Sequence, residues 1–147
     1  MEPIYYMEYI ESIKIIEEMY DAYYKYKNLK TWKPFKVQDV KTKALDKAAD
    51  RYKEIKKTSR KDRTVKVEFY EDTFICTTGD VKQEYRYDEI EGIYETSTTL
   101  AFVADKKRKK DAFLALKKGS VKGKSLSDLK TFVVKRCTKV KGGIELL

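Results

Sequence analysis

The chain has 147 residues, of which 39% are charged and 41% hydrophobic, and this composition indicates one folded domain rather than a disordered segment. Its longest apolar runs, 100-LAFVA-104 and 113-FLAL-116, are far shorter than the ~20 residues that a membrane-spanning helix needs, and no secretory signal is recognisable. The 2 cysteines lack CxxC spacing, which indicates a reducing compartment, so we predict a cytoplasmic protein.

The net charge of +9 is distributed unevenly along the chain. Residues 31–64 carry +7 and residues 105–147 carry +10, whereas residues 1–30 carry −2 and residues 65–104 carry −6. Such blocks steer an anionic partner toward the basic parts of a surface. They also attract one another within a folded monomer, so the charge pattern alone leaves both interpretations open.

The first third of the chain has the spacing of apolar side chains that indicates helix. The first helical face holds Tyr9, Ile13, Ile16, Tyr20, Tyr23 and Tyr24. This pattern is interrupted before Pro34, and a second helix is predicted from about Val37 to Lys57. Together they form an N-terminal helical segment, residues 1–60, in which the two helices pack on each other as a hairpin or lie on the later sheet.

After the polar run 58–64, the apolar side chains change from helical spacing to strict alternation, which is typical of strands. The predicted strands are 65–70, 73–78, 81–87, 92–97, 99–104 and 112–117. Short strands joined by tight turns indicate an antiparallel meander. A last helix, capped by Ser125, is predicted to end before Gly142. The prediction is an α+β domain with about six antiparallel strands and a C-terminal capping helix in residues 65–147.

The segment of about residues 65–137 resembles the C-terminal domain of YcxB-like bacterial proteins. The features that carry this resemblance are a strand pair (VKVEFYEDTFICTT), a polar strand (YRYDEIEGIYET), a hairpin (TLAFVADKKRKKDAFLALKKGSV) and an amphipathic helix (SLSDLKTFVVKRC). The resemblance implies a small pleckstrin-homology-like sheet that is closed by a C-terminal helix. It implies no catalytic residue and no assigned activity.

Proteins of that family look typically membrane-anchored, with an apolar helical hairpin ahead of this domain. Here the region 29–57 is polar and unable to span a bilayer. The chain is therefore either a variant that lacks the membrane hairpin or a protein that is similar to the family in its second half only.

Several features of the sequence argue against catalysis. The chain has no histidine, which removes the commonest general base and the commonest transition-metal ligand. The loop 119-GSVKGK-124 lacks the spacing of a nucleotide-binding loop. Cys76 and Cys137 both fall on apolar faces, so we predict that they pack in the core rather than react. We expect a protein that is not an enzyme and that holds no cofactor or metal.

Cations in two loops are the candidate anion-binding residues. They are Lys106, Lys107, Arg108, Lys109 and Lys110 in the first loop, and Lys117 and Lys118 in the second. A hairpin tip must be polar, and lysines at a sheet edge discourage aggregation, so the first loop is explicable without a ligand. Because successive connections of a meander alternate between the ends of a sheet, we expect the two loops at opposite ends.

The function that these features favour is a non-enzymatic bacterial interaction module. Its expected partner is an anionic surface, such as the cytoplasmic face of a membrane, or another protein. Nucleic-acid binding is one alternative, since a charge of +9 and 12 tyrosines suit phosphate contacts and base stacking, although the tyrosines concentrate in the acidic first helix, away from the cation-rich loops. Self-association into a homodimer through that tyrosine-rich helix is the other alternative.

Overall fold

The computed structural model describes residues 2–34 and 36–147, except for the side chain of Lys110. Within these residues the fold is α+β, as predicted, with three α-helices and nine strands. The helices are α1 (Ile13–Leu29), α2 (Val37–Ile55) and α3 (Leu126–Arg136). The strands are β1 (Tyr5–Ile10), β2 (Thr64–Phe69), β3 (Thr73–Thr78), β4 (Val81–Arg86), β5 (Ile90–Glu95), β6 (Thr99–Ala104), β7 (Phe113–Lys117), β8 (Val121–Lys122) and β9 (Glu145–Leu146).

The strands form two sheets. The first has the order β4-β3-β2-β1-β8 and is antiparallel throughout. The second has the order β7-β6-β5-β9 and is antiparallel except for the parallel pair β5–β9. Since β1 pairs directly with β2, the α1–α2 hairpin is an insertion between two neighbouring strands. Among the described helices, none is both long enough and apolar enough to cross a bilayer.

The prediction that Tyr9 belongs to the first helix is wrong, because Tyr9 lies in strand β1. The alternating stretch YYMEYI buries Met7 and Tyr9 on one face of this strand. The helix begins only at Ile13, after Ser12, whose side chain accepts a hydrogen bond from the Ile15 N–H at 3.3 Å. The helical spacing of Tyr9 and Ile13 is misleading because β1 is stabilised by pairing with β2, which is distant in sequence.

The strand count also exceeds the predicted six. Besides β1, the two-residue strands β8 and β9 were not expected, and each is defined only by the neighbour with which it pairs. The predicted strand 92–97 lies slightly earlier, at Ile90–Glu95. The predicted cap of the last helix is confirmed, since the Ser125 side chain accepts a hydrogen bond from the Asp128 N–H at 3.0 Å.

The hydrophobic core lies between the inner faces of the two sheets. Aromatic rings join them, with the ring centroid of Phe102 in β6 lying 5.1 Å from that of Phe74 in β3 and 6.4 Å from that of Phe69 in β2. Leu129 and Val133 of α3 are fully buried against the same core. The helix therefore covers the sheets, as the apolar face of its sequence predicts.

Both cysteines are buried free thiols, as predicted. Burial raises the pKa of Cys76 to about 12, and it raises the pKa of Cys137 to about 12 as well. Both thiols are therefore protonated at neutral pH and act as small apolar side chains of the core.

The second sheet is buried on both of its faces, which explains the apolar run 100–104. Alternate residues of β6 face the core, yet Ala101, on the opposite face, has an exposed fraction of 0%. Helix α1 covers this outer face: the ring of Tyr26 lies 5.1 Å from Tyr94 in β5 and 5.4 Å from Phe113 in β7, between centroids. A strand buried on both faces has a continuous apolar run rather than an alternating one.

Replacing Ala101 with aspartate should lower the free energy of unfolding by about 4 kcal/mol, because the carboxylate would be buried beneath α1 without a partner. The matched change Thr77→Asp should cost less than about 1 kcal/mol. Thr77 lies on the outward face of the first sheet, between Lys66 and Lys82. Urea unfolding followed by circular dichroism measures both variants, and equally small losses would mean that α1 does not cover the second sheet.

Candidate functional site

A groove of about 1060 Å³ lies between α1 and the outer face of the second sheet. One face of α1 forms one wall, and β5, β6, β7 and the basic loop, residues 105–111, form the other. The groove is lined by the aromatic side chains of Tyr20, Tyr23, Tyr26, Tyr94 and Phe113. Concave sites of this size and aromatic content are typical places for ligands to bind.

The direction of α1 decides which cations meet at this groove. The start of the helix follows β1, and β1 pairs with β8, which begins only a few residues after Lys117, the last residue of β7. Farther along the helix, Tyr23 and Tyr26 contact Phe113, the first residue of β7. The C-terminal turn of α1 therefore lies at the end of the sheet that carries the basic loop.

Four exposed lysines from two distant segments line the groove, and we call them the cationic rim. They are Lys27 and Lys30 from the end of α1, and Lys106 and Lys109 from the basic loop. Lys107 is exposed in the same loop, and the side chain of Lys110 lies outside the described residues. The basic loop therefore forms a patch with lysines from the end of α1. The sequence did not predict this combination.

The tyrosines of α1 lie beside these cations, and not away from them as the sequence suggested. The ammonium group of Lys27 lies 5.6 Å from the ring centroid of Tyr23, and that of Lys30 lies 5.7 Å from the ring centroid of Tyr26. Burial raises the pKa of the Tyr26 hydroxyl, so it stays protonated at neutral pH. The rim thus combines positive charge with half-buried aromatic rings.

Arg108 has a different role from its neighbouring lysines, because it attaches the basic loop to the rest of the fold. Its guanidinium lies 4.0 Å over the Tyr85 ring, forms an ion pair with Glu89 at 3.1 Å and donates to the backbone carbonyl of Glu84. The Tyr85 hydroxyl also donates to the backbone carbonyl of Asp111 at 2.9 Å. The charge of Arg108 is therefore neutralised within the protein.

The backbone of the basic loop is strained at Lys109. This residue has φ 55° and ψ −108°, a conformation that residues with a side chain rarely adopt. Strain of this kind, on the order of 1 kcal/mol or more, persists only where the surroundings hold the chain in place. Arg108 and Asp111, on either side of Lys109, provide that attachment through Tyr85.

Lys117 and Lys118 lie at the opposite end of the β6–β7 hairpin from the basic loop. The Lys118 ammonium group forms an ion pair with Glu95 at 2.8 Å and donates to the Thr96 carbonyl at 2.8 Å. Glu95 also pairs with Lys130 of α3 at 2.9 Å. Lys118 is therefore part of an ion-pair cluster that joins the second sheet to α3, and the two predicted loops do not form one patch.

Comparison with known proteins gives one match. The family model described as YcxB-like protein matches residues 69–133, from the last residue of β2 into α3. The resemblance expected for about residues 65–137 is thus confirmed over most of that segment. The elements β1, α1 and α2 lie outside the matched residues, and with them one wall of the groove. No curated protein and no solved structure matches the chain.

Glu95 allows a test of the ion-pair cluster. Burial by itself raises the pKa of this carboxyl, but hydrogen bonds from Lys118 and Lys130 outweigh it, so the pKa lies below the ordinary value of 4.5. A carboxyl whose pKa is lower in the folded state stabilises the fold above its unfolded pKa, and this contribution is lost as the pH falls through the folded value.

Replacing Glu95 with glutamine should therefore lower the free energy of unfolding by about 2 kcal/mol at neutral pH. The difference from the parent protein should shrink as the pH falls from 4.5 through the lower pKa of Glu95 in the folded parent. The parent carboxyl then becomes neutral, like the glutamine amide. Urea unfolding measured across this pH range checks both statements. A loss that does not change with pH would contradict a stabilising ion pair at this position.

Proposed function

We propose that the protein is a non-enzymatic bacterial interaction module that binds an anionic surface through the cationic rim. The observation that carries this proposal is the convergence of Lys27 and Lys30 with Lys106 and Lys109 on one groove. Each lysine near an anionic lipid surface contributes about 1 kcal/mol of attraction, so several lysines at one end of a molecule give measurable binding. The surface that we propose is the cytoplasmic face of a bacterial membrane.

We also propose that the core has a pleckstrin-homology-like arrangement. Two sheets that pack face to face and are closed by α3 support this, and their strand pairs are antiparallel apart from β5–β9. The YcxB-like match at residues 69–133 also supports it, because the resemblance implies such a fold. In this arrangement the α1–α2 hairpin is an addition between β1 and β2. That addition supplies half of the cationic rim.

The chemistry of the groove favours binding rather than catalysis. Its buried carboxyl, Glu11, lies 3.5 Å from the guanidinium of Arg51 in α2. Burial raises the pKa of Glu11, and the nearby Arg51 partly offsets this effect. The pair joins the start of α1 to α2, so its structural role accounts for both charges.

Nucleic-acid binding is the second candidate, because Tyr23 and Tyr26 lie beside rim lysines. We rank it second because these rings already pack on Phe113, which leaves less of each face for a base. A homodimer stays a prediction. The packing of the tyrosine-rich face of α1 on the second sheet accounts for those tyrosines within one chain.

Replacing Lys106, Lys107 and Lys109 together with glutamine should weaken cosedimentation with phosphatidylglycerol vesicles at low salt by about tenfold or more, because three attractive charges are lost. The matched control removes the same charge from exposed lysines of the C-terminal part, Lys135, Lys139 and Lys141, and should bind like the parent. Vesicles of phosphatidylcholine alone should not bind.

If the parent protein does not sediment with anionic vesicles, the membrane proposal fails. If it instead binds DNA or RNA with an affinity that falls steeply with salt, the second candidate replaces the first.

A further inference from the structure

The connection between α1 and α2, together with the helix ends on either side of it, exposes large apolar side chains. Trp32 is 86% exposed, Val37 78% and Leu29 52%. We call the described residues 29–34 and 36–37 the hairpin tip. Isolated exposed apolar residues are ordinary on a protein surface, but three within residues 29–37 concentrate apolar surface at one turn, and such concentrations are typical of interaction sites.

Lysines are interleaved with these apolar side chains. Residues 22–38 contain five lysines and no acidic residue. Lys27, Lys30, Lys33 and Lys36 are all exposed, and the ammonium group of Lys33 lies 4.8 Å from the Trp32 ring centroid. Two such tips would repel each other, so the charge argues against a second copy of this chain as the partner of the tip.

The hairpin tip is continuous with the cationic rim. It follows the last turn of α1, where Lys27 and Lys30 line the groove together with Lys106 and Lys109. One end of the molecule therefore carries both the basic loop and the exposed apolar cluster. A flat anionic surface in contact with this end meets both at once.

We propose that the hairpin tip inserts Trp32, Leu29 and Val37 into the interfacial region of an anionic bilayer while its lysines contact the phosphate groups of the lipids. This inference rests on the proposed function and identifies the part of the protein that enters the membrane. Tryptophan is favoured at the boundary between headgroups and acyl chains, and aliphatic side chains gain from contact with the acyl chains. Lysines beside them are attracted to the anionic lipids.

A bilayer accounts for the exposed side chains better than a nucleic acid does. A single strand would offer a base for Trp32 to stack on and phosphates for the lysines. It would leave Leu29 and Val37, which are also exposed, without an apolar environment. The interfacial region of a bilayer provides an environment for all of these side chains.

The chain has 1 tryptophan, so tryptophan fluorescence reports on the hairpin tip alone. Addition of vesicles of phosphatidylglycerol and phosphatidylcholine should shift the Trp32 emission to shorter wavelength, and lipids with brominated acyl chains should quench it. Trp32→Ala should weaken cosedimentation with the same vesicles about tenfold, which corresponds to about 1.4 kcal/mol. The control Val81→Ala, at a residue of edge strand β4 that is 64% exposed, should bind like the parent.

The possible outcomes separate this inference from the proposed function. Sedimentation with anionic vesicles without quenching by brominated lipids overturns insertion and leaves surface binding in place. Absence of sedimentation overturns both. A change of Trp32 emission with single-stranded DNA but not with vesicles assigns the tip to nucleic acid and also overturns insertion.

Discussion

The arrangement of this protein depends on the burial of β6 on both faces. Its inner face packs on the first sheet through Phe102, and its outer face, at Ala101, needs a second cover. Helix α1 provides that cover with tyrosines that contact Tyr94 and Phe113. Because the helix starts beside the end of β7 and runs back along it, its last turn lies at the basic loop. The position of the cationic rim and of the hairpin tip follows from this packing.

The sequence predicted the elements whose signals are local. The cap at Ser125, the start of α2 at Val37 and the basic tip of the β6–β7 hairpin depend on a few neighbouring residues, and the structure agrees with them. Strand β1 has no such local signal because its partner β2 is distant in sequence, and the spacing of Tyr9 and Ile13 wrongly predicts a longer helix. Periodicity identifies the face of an element but not the element that covers it.

The candidate site could be predicted only in part, because the partners of its side chains also come from distant parts of the sequence. The seven cations in its two loops look equivalent in sequence, yet they have different partners in the fold. Arg108 is neutralised by Glu89, just before β5, and Lys118 by Glu95 at the end of β5, whereas Lys106 and Lys109 face the groove. The remaining rim lysines come from the end of α1, in a segment whose net charge is negative. A count of charge along the chain locates the lysines near the end of α1, but it does not show that folding brings them to the basic loop.

The position of the cationic rim requires that α1 lies along the second sheet with its last turn at the basic loop. Cross-linking of the folded protein with a short amine-reactive reagent, followed by mass spectrometry of the peptides, measures this directly. The packing predicts links from Lys27 and Lys30 to Lys106 and Lys109, all of which line one groove. Links from Lys30 to Lys117, at the opposite end of β7, would contradict it.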